Sequence, residues 1–231
     1  MSQDFRIVFV LFPRITQLDF TGPHEVLWRA PDARCTLASS AGGRIQADGG
    51  LSFDTVPIAD VEGCELLLVP GGYGTLEAMA DAHLLAQLRR LAGGARHVVS
   101  VCTGSLLLGA AGLLRGHRSA CHWAWRELLA AYPDVTPDPA RIVHDGRLWS
   151  GGGVTAGIDV ALAVLAEVAG VEFAQSVQLA IEYAPAPPFD AGRPESAPPA
   201  VLQRMQQRLQ SMGADRSAAV QRAAAVLRSG D

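Results

Sequence analysis

Apolar runs alternate with helical patterns along the first half of the chain, and each run has the length of a buried strand. The runs cover residues 5–12, 35–39, 65–69 and 97–102. Strands that are apolar on both faces are typical of a parallel sheet whose two sides are covered by helices. The pattern therefore predicts an α/β fold, and folds of this kind place their sites at the carboxyl ends of the strands.

Segments in which apolar residues have helical spacing lie between the predicted strands and after the last of them. Asp81 stands where it would cap a helix that continues through Leu91. The other predicted helices cover residues 103–114, 122–131, 155–168 and about 173–181. Between them, Asp145-Gly146 separates two short apolar segments and predicts a β-hairpin.

The last part of the chain predicts a helical extension. Residues 185–199 are rich in proline and predict an ordered loop. Two amphipathic stretches follow, one around residues 201–212 and one at 217–227. No break in composition and no internal repeat divides the chain. We therefore expect a single α/β domain over residues 1–231, with a helical C-terminal extension from about residue 199.

Composition and charge exclude several classes of function. The chain has 231 residues, of which 49% are apolar, and a net charge of −4. All 19 basic residues are arginine, which rules out Schiff bases, pyridoxal phosphate attachment and a phosphate-loop lysine. Without an excess of positive charge, nucleic-acid binding is not expected. The longest apolar and glycine run spans residues 106–114, well short of the roughly 20 residues that cross a membrane.

The N-terminus and the cysteines indicate a cytoplasmic protein without a metal. Only six apolar residues, 7–12, precede Pro13, and a secretory signal needs about 7–15. The four cysteines, which we expect to be reduced, form no C-x-x-C pair or zinc-finger spacing. They are Cys35, Cys64, Cys102 and Cys121.

Cys102 is the main candidate for chemistry, because it ends a predicted strand and precedes a predicted helix. A thiol at a helix N-terminus is favoured as thiolate by the helix dipole. Gly104 permits a tight turn there, which is similar to the nucleophile elbow of hydrolases, although Ser100 replaces the usual earlier glycine. Position alone leaves a packed cysteine as an equal alternative.

Three other positions are less decisive on their own. Glycines in the segment Pro70-Gly71-Gly72 could let a backbone amide point into a site, but a plain turn is the simpler interpretation. Asp19 could be a partly desolvated acid, yet its position favours a cap for the helix running to Trp28. His122 could serve as a base for a cysteine nucleophile, but a packed or capping histidine is the commoner case.

Taken together, four motifs resemble the class I glutamine-amidotransferase-like superfamily, which includes the PfpI-type proteases and protein deglycases. The motifs are Leu-Asp-Phe-Thr-Gly-Pro at 18–23, Pro-Gly-Gly at 70–72, Val-Cys-Thr-Gly at 101–104 and Thr-Ala-Gly-Ile-Asp at 155–159. Within the superfamily, residues 100–114, 151–159 and 182–189 are most similar to the isocyanide-hydrating enzymes. The resemblance extends from about residue 6 to at least residue 199.

The resemblance implies a flavodoxin-like three-layer sandwich and a homodimer. It also implies hydration of a small, neutral isocyanide by water to an N-substituted formamide, through a covalent thioimidate, with no metal or organic cofactor. The nucleophile of these enzymes corresponds to Cys102, and the acid to Asp19. Thr103 is the third catalytic position carried over, and the backbone amides near Gly72 and Thr103 correspond to the oxyanion region. Cys121 departs from the threonine expected before His122.

Two alternatives remain open. The first is a protease, deglycase or glyoxalase of the same fold; proteases of the superfamily place histidine after the nucleophile, where this chain has Thr103, and deglycases place glutamate at the position of Asp19. The second is the ligand-sensing half of an arabinose-type transcription activator. Such activators add helix-turn-helix units, and the tail predicts only two helices without a basic recognition helix.

Overall fold

The apolar segment near the N-terminus forms the centre of an eight-stranded sheet in the computed structural model, which describes residues 4–229 without the side chains of 211 and 212. The two ends of the predicted 1–231 domain therefore lie outside the described residues. The strands are β1 (Phe5–Val10), β2 (Ala33–Ser39), β3 (Gly43–Gln46), β4 (Ser52–Pro57), β5 (Leu66–Val69), β6 (His97–Val101), β7 (Arg118–Ser119), β8 (Thr136–Pro137), β9 (Ile142–Asp145) and β10 (Leu148–Gly151).

The order of the main sheet is β3-β4-β2-β1-β5-β6-β10-β9, while β7 and β8 pair separately. Strands β4, β2, β1, β5, β6 and β10 run parallel, and β3 and β9 add antiparallel edges. The antiparallel pair β9–β10 is the predicted hairpin. The mostly parallel sheet confirms the predicted α/β class.

Helices cover both faces of the sheet. They are α1 (Leu18–Leu27), α2 (Thr75–Ala80), α3 (Ala82–Gly94), α4 (Gly104–Ala110), α5 (Ala156–Ala169), α6 (Val171–Ala180) and α7 (Pro199–Ser229). Helices α1, α5 and α6 pack together as one layer, and α2, α3, α4 and α7 pack together as the other. This is the predicted three-layer arrangement.

Four predicted helices differ from the structure. The helix predicted over 103–114 ends at Ala110, because Gly112 adopts a φ of +74° that a continuing right-handed helix does not use. The helix predicted over 122–131 is only a short 3-10 segment, Arg126–Ala131. The two helices predicted in the C-terminal extension are one continuous helix, α7, of 31 residues.

The prediction that Asp81 caps a helix is confirmed. The Asp81 carboxylate accepts a hydrogen bond from the Leu84 amide at 2.9 Å, which satisfies a free N–H of the first turn of α3.

The strand pair β3–β4 was not predicted from the sequence. These two strands lie at one end of the sheet and have many exposed positions. They therefore lack the continuous apolar run that marked the central strands.

Candidate active site

Cys102 occupies a strained turn between β6 and α4. Its φ is +58°, a conformation that costs a non-glycine residue about 1–2 kcal/mol and that is frequent at functional sites. Its amide donates to the Gly151 carbonyl at 2.9 Å, which fixes the turn to the end of β10. Gly104 is required beside it, because a Cβ atom there would overlap the carbonyl oxygen of Val69. The turn therefore holds the thiol at the carboxyl edge of the sheet.

Asp19 is fully buried in the first turn of α1, with 0% of its surface exposed. It is not the cap that its position alone favoured: Gln17 is the N-cap residue of α1, and no side chain caps that end. Instead, Asp19 Oδ2 accepts a hydrogen bond from the Gly71 amide at 2.9 Å. The prediction of a cap was wrong because the carboxylate points across to the loop after β5 instead of back along its own helix.

Asp19 and Cys102 are electrostatically coupled. Burial raises the pKa of the Asp19 carboxyl to about 7, against the Gly71 and Cys102 hydrogen bonds that lower it. Burial also raises the pKa of the Cys102 thiol well above its usual value, and the nearby Asp19 carboxylate raises it further. Asp19 Oδ1 is buried without a partner at ordinary hydrogen-bond geometry, so the interaction with the thiol is a weak contact. At neutral pH the Cys102 thiol therefore keeps its proton, while Asp19 exchanges between its carboxyl and carboxylate forms.

The predicted dipole effect on Cys102 is thus outweighed by burial. The Thr103 amide does donate toward the sulfur and lowers its pKa, but this contribution is smaller than the cost of desolvating a thiolate. Helix α4 has only seven residues, so its dipole is weak. Activation of the thiol must come from a proton acceptor beside it, and Asp19 is the titratable group in that position.

The Thr103 side chain belongs to a closed ring of hydrogen bonds. The Gly72 amide donates to Thr103 Oγ1 at 3.0 Å, the Thr103 and Thr75 hydroxyls lie 2.9 Å apart, and Thr75 Oγ1 donates to the Gly72 carbonyl at 2.8 Å. Thr103 Oγ1 also lies 3.4 Å from the Gly72 carbonyl oxygen, so the two hydroxyls share that acceptor and either one can donate to the other. All three residues therefore lock the loop after β5 to the turn that carries Cys102.

This ring changes the predicted oxyanion region. The Gly72 amide is already used by the Thr103 hydroxyl, so it is not a free donor for a substrate atom. Gly72 has a φ of +143°, which favours glycine and lets the loop turn here. Of the two predicted amides, the Thr103 amide is the one that faces the Cys102 sulfur.

His122 and Cys121 lie close to Cys102 without acting on its thiol through a side-chain hydrogen bond. The His122 amide donates to the Cys102 carbonyl at 3.4 Å. The His122 ring accepts from the Ala124 amide at Nδ1, 3.3 Å away, and burial lowers its pKa, so the ring is neutral. Burial raises the pKa of the Cys121 thiol to about 12, which makes that thiol unreactive.

A cavity of about 230 Å³ opens onto Cys102. Its walls are mostly apolar, as expected of a small-molecule site. The lining residues are Thr16, Gly72, Tyr73, Cys102, Thr103, His122, Trp125, Val154, Met205, Arg208, Leu209 and Arg216. Helix α7 therefore supplies one wall of the site.

Sequence reasoning did not identify Arg216 as a site residue. It lies four and eight residues before Val220 and Ala224, which are fully buried, so it is a charged residue on the apolar face of α7. The sequence signal for its role is a positively charged residue at a helix position where the spacing of apolar residues predicts a buried side chain.

Metal-ion and membrane features are absent from residues 4–229. No group of three or more His, Cys, Asp or Glu side chains within this range could hold a metal ion. Within the same range, no helix combines the length and the hydropathy needed to span a membrane.

Comparisons with known proteins find a matching family model, similar sequences and a similar structure. The DJ-1/PfpI family model matches residues 5–167. Isonitrile hydratase of Pseudomonas putida is 45% identical over 96% of this chain and 97% of its own length. A THiJ/PfpI family protein from Pseudomonas syringae has a crystal structure that matches with a TM-score of 0.91 and 34% identity, covering 94% of this chain and 91% of that one.

A regulator also matches. The HTH-type transcriptional regulator CdhR of Pseudomonas aeruginosa is 32% identical over 77% of this chain, but the match covers only 54% of the regulator.

Proposed function

The chain belongs to the DJ-1/PfpI family, and on this premise we propose that it is an enzyme that hydrates isocyanides to N-substituted formamides. The observation that carries the proposal is the pairing of the Cys102 thiol with a buried Asp19 carboxyl whose pKa is about 7. The similarity to an isonitrile hydratase over nearly the full length of both chains supports the choice of substrate.

In the first step, the thiol adds across the terminal carbon of the isocyanide. The ionised Asp19 carboxylate takes the proton from Cys102 as the S–H bond breaks and the S–C bond forms. Asp19 then delivers that proton to the same carbon, which forms the C–H bond. The product is a covalent thioimidate, R–N=CH–S–Cys102, and Asp19 is again ionised.

In the second step, water adds to the thioimidate carbon. Asp19 accepts a proton from the water as the C–O bond forms and passes it to the nitrogen. The hydroxyl of the tetrahedral intermediate then gives its remaining proton through Asp19 to the sulfur as the C–S bond breaks and the C=O bond forms, which releases R–NH–CHO and restores the pair. No oxidant or reductant is needed, because the atoms of one isocyanide and one water equal those of the formamide.

In this scheme, Thr103 acts by holding neighbouring groups in position. Its hydroxyl holds the Gly72 loop, and its amide faces the sulfur that carries the substrate carbon. The turn at Cys102, with its positive φ, places the thiol where it interacts with the carboxyl of Asp19. Asp19 thereby takes the place of the histidine base of cysteine hydrolases.

The direct test uses purified protein with phenyl isocyanide and cyclohexyl isocyanide, and detects the formamides by mass spectrometry. We expect multiple turnovers on at least one of them. We also expect the same rate in EDTA, since the proposed steps use no metal ion. Absence of turnover across an extended isocyanide panel would refute the proposal.

The regulator relative supports a ligand-sensing alternative, and the family includes enzymes that act on carbonyl compounds. A sensor would bind isocyanides or their analogues without producing formamide. A deglycase or glyoxalase would convert methylglyoxal or its adducts instead. Running methylglyoxal beside the isocyanides, with product detection in both, separates the three.

The proposal also includes a homodimer that works in the cytoplasm. The four cysteines are free thiols, as in proteins of a reducing compartment. Leu179 and Phe189 are large apolar side chains with 81% and 78% of their surface exposed, which supports burial against a second subunit. Light scattering should give twice the 24.3 kDa chain mass; a monomeric mass at working concentrations would contradict the dimer.

A further inference from the structure

Helix α7 brings one arginine into the cavity that contains Cys102. Arg216 has 3% of its surface exposed and lines the cavity together with Cys102 and Thr103. Its guanidinium lies over the Trp125 ring, 4.5 Å from the ring centre. This cation–π contact orients the group but does not neutralise its charge.

No carboxylate among the described residues contacts the guanidinium of Arg216, and the charge of Glu77 acts on it only from beyond ion-pair distance. Arg216 Nε is buried and makes no hydrogen bond to the described residues. Within residues 4–229, no carboxylate forms an ion pair with it. Burial of an unpaired charge is costly, so such groups are normally paired with something. The arginines Arg6 and Arg141, by contrast, each contact a carboxylate.

The cavity as a whole is suited to an anion. Its lining includes Arg208 as well as Arg216, and among the described residues it includes no acidic side chain. Val154, Met205 and Leu209 add apolar surface to the same cavity. A ligand with a short apolar stem and one anionic end matches this distribution.

We propose that Arg216 binds a carboxylate on the substrate, so that the preferred isocyanides are isocyano carboxylic acids. The planar guanidinium matches a carboxylate in charge and geometry. This inference rests on the proposed function and replaces the small, neutral isocyanide that the sequence resemblance implied with a charged one. The carboxylate binds Arg216 and leaves the isocyanide carbon at the opposite end, toward Cys102.

The test compares isocyanoacetate with methyl isocyanoacetate, which differ in charge at one end. We expect the wild-type kcat/KM to be at least tenfold higher for the carboxylate. Arg216→Met keeps a long stem over Trp125 and removes the charge; it should lower kcat/KM for the carboxylate by about 10–100-fold, the range of a charged hydrogen bond, and change the ester by less than about threefold. Arg204→Gln, an exposed position on the same helix, is the matched control and should change neither.

Arg216→Lys keeps the charge but not the planar fork, and should fall between wild type and Arg216→Met. Thermal melts of all variants establish that each is folded. A wild type without preference for the carboxylate would overturn the inference. So would an equal loss on both substrates in Arg216→Met, which would make Arg216 a general electrostatic partner of the thiol.

A binding measurement distinguishes failure of this inference from failure of the proposed function. Calorimetry with N-formylglycine and its methyl ester, the corresponding formamides, measures recognition without chemistry. Binding of the acid that is stronger than that of the ester and lost in Arg216→Met supports the carboxylate site even if no isocyanide is turned over. Turnover of neutral isocyanides, with no Arg216-dependent binding of the acid, would overturn the inference and leave the proposed function standing.

Discussion

Burial controls the acid–base properties of Asp19. A carboxyl in water has a pKa of about 3.9, and the Asp19 carboxyl in the folded protein has a pKa of about 7 because it is desolvated. Near neutral pH it therefore exchanges between both forms. This suits a group that must take a proton from the thiol and return it to carbon within one cycle.

Asp19→Asn tests this role by activity. Asparagine retains the size of aspartate and can accept the Gly71 amide, but it cannot carry the proton. We expect formamide production to fall by at least about 100-fold, the lower range for general acid–base catalysis, with Cys102 intact. Asp19→Glu keeps the acid displaced by one methylene and should retain more activity than Asp19→Asn. Near-normal rates in Asp19→Asn would make the residue structural.

The Asp19→Asn variant also tests the raised pKa of Asp19, through the pH dependence of the unfolding free energy. Between about pH 4 and pH 7 the folded protein holds a proton on Asp19 that the unfolded chain releases. The contribution of this group to stability is therefore most favourable below about pH 4 and is lost as the pH rises toward 7. The difference in unfolding free energy between wild type and Asp19→Asn should shift by a few kcal/mol across this window, in favour of the variant at higher pH. Urea unfolding at a series of pH values measures it; a constant difference would contradict the buried, raised pKa.

Thr103 shows how a residue beside the nucleophile can act through the backbone of another loop. In Thr103→Val the buried Gly72 amide loses its acceptor, at a cost of about 1–3 kcal/mol. Thr103→Ser keeps the hydroxyl and should be closer to wild type in both stability and kcat. Chemical unfolding and steady-state rates on the two variants provide the comparison. Equal stability of the valine variant and wild type would show that the hydrogen-bond ring is unimportant.

At the scale of elements, helix α4 is held so closely to β5 that its first residue must be glycine. Gly104→Ala would place a Cβ atom against the carbonyl oxygen of Val69 and within 2.8 Å of the Pro70 carbonyl oxygen. Neither atom belongs to a flexible side chain, so the turn carrying Cys102 must shift.

We expect Gly104→Ala to lower the unfolding free energy by about 1–3 kcal/mol, the usual cost of overpacking, and to reduce activity as the thiol moves. Gly93→Ala is the matched control, because Gly93 lies in α3 with no atom near its would-be Cβ. There, alanine should stabilise by about 0.5–1 kcal/mol. Urea denaturation of the two variants tests the pair, and similar effects would contradict the close packing.

The elements with strong local signals could be predicted, and those that depend on distant contacts could not. Central strands such as β1 and β5 are continuous apolar runs because both faces are covered. Strand β4 is half-exposed and has no such run. The segment around His122 has helical spacing, but it turns back toward Cys102, where its amide bonds to the Cys102 carbonyl, and only a 3-10 segment forms after it.

At the scale of the whole molecule, the candidate site assembles from segments far apart in the chain. Asp19 follows β1, Gly72 follows β5 and Cys102 follows β6, and these three strands are neighbours in the sheet. That convergence was predictable, since parallel strands bring their carboxyl ends to one edge. The contribution of α7 was not, because its position over Trp125 depends on packing between the last helix and a loop about ninety residues earlier.

The central claim is that Cys102 forms a bond to the isocyanide carbon, and the most direct measurement is formamide production by Cys102→Ala beside wild type on the same isocyanide. Alanine removes the sulfur and keeps the backbone, so the stability should change by no more than a few kcal/mol, which a thermal melt verifies. The account predicts that the folded variant produces no formamide above the uncatalysed rate. Substantial turnover by Cys102→Ala would contradict it.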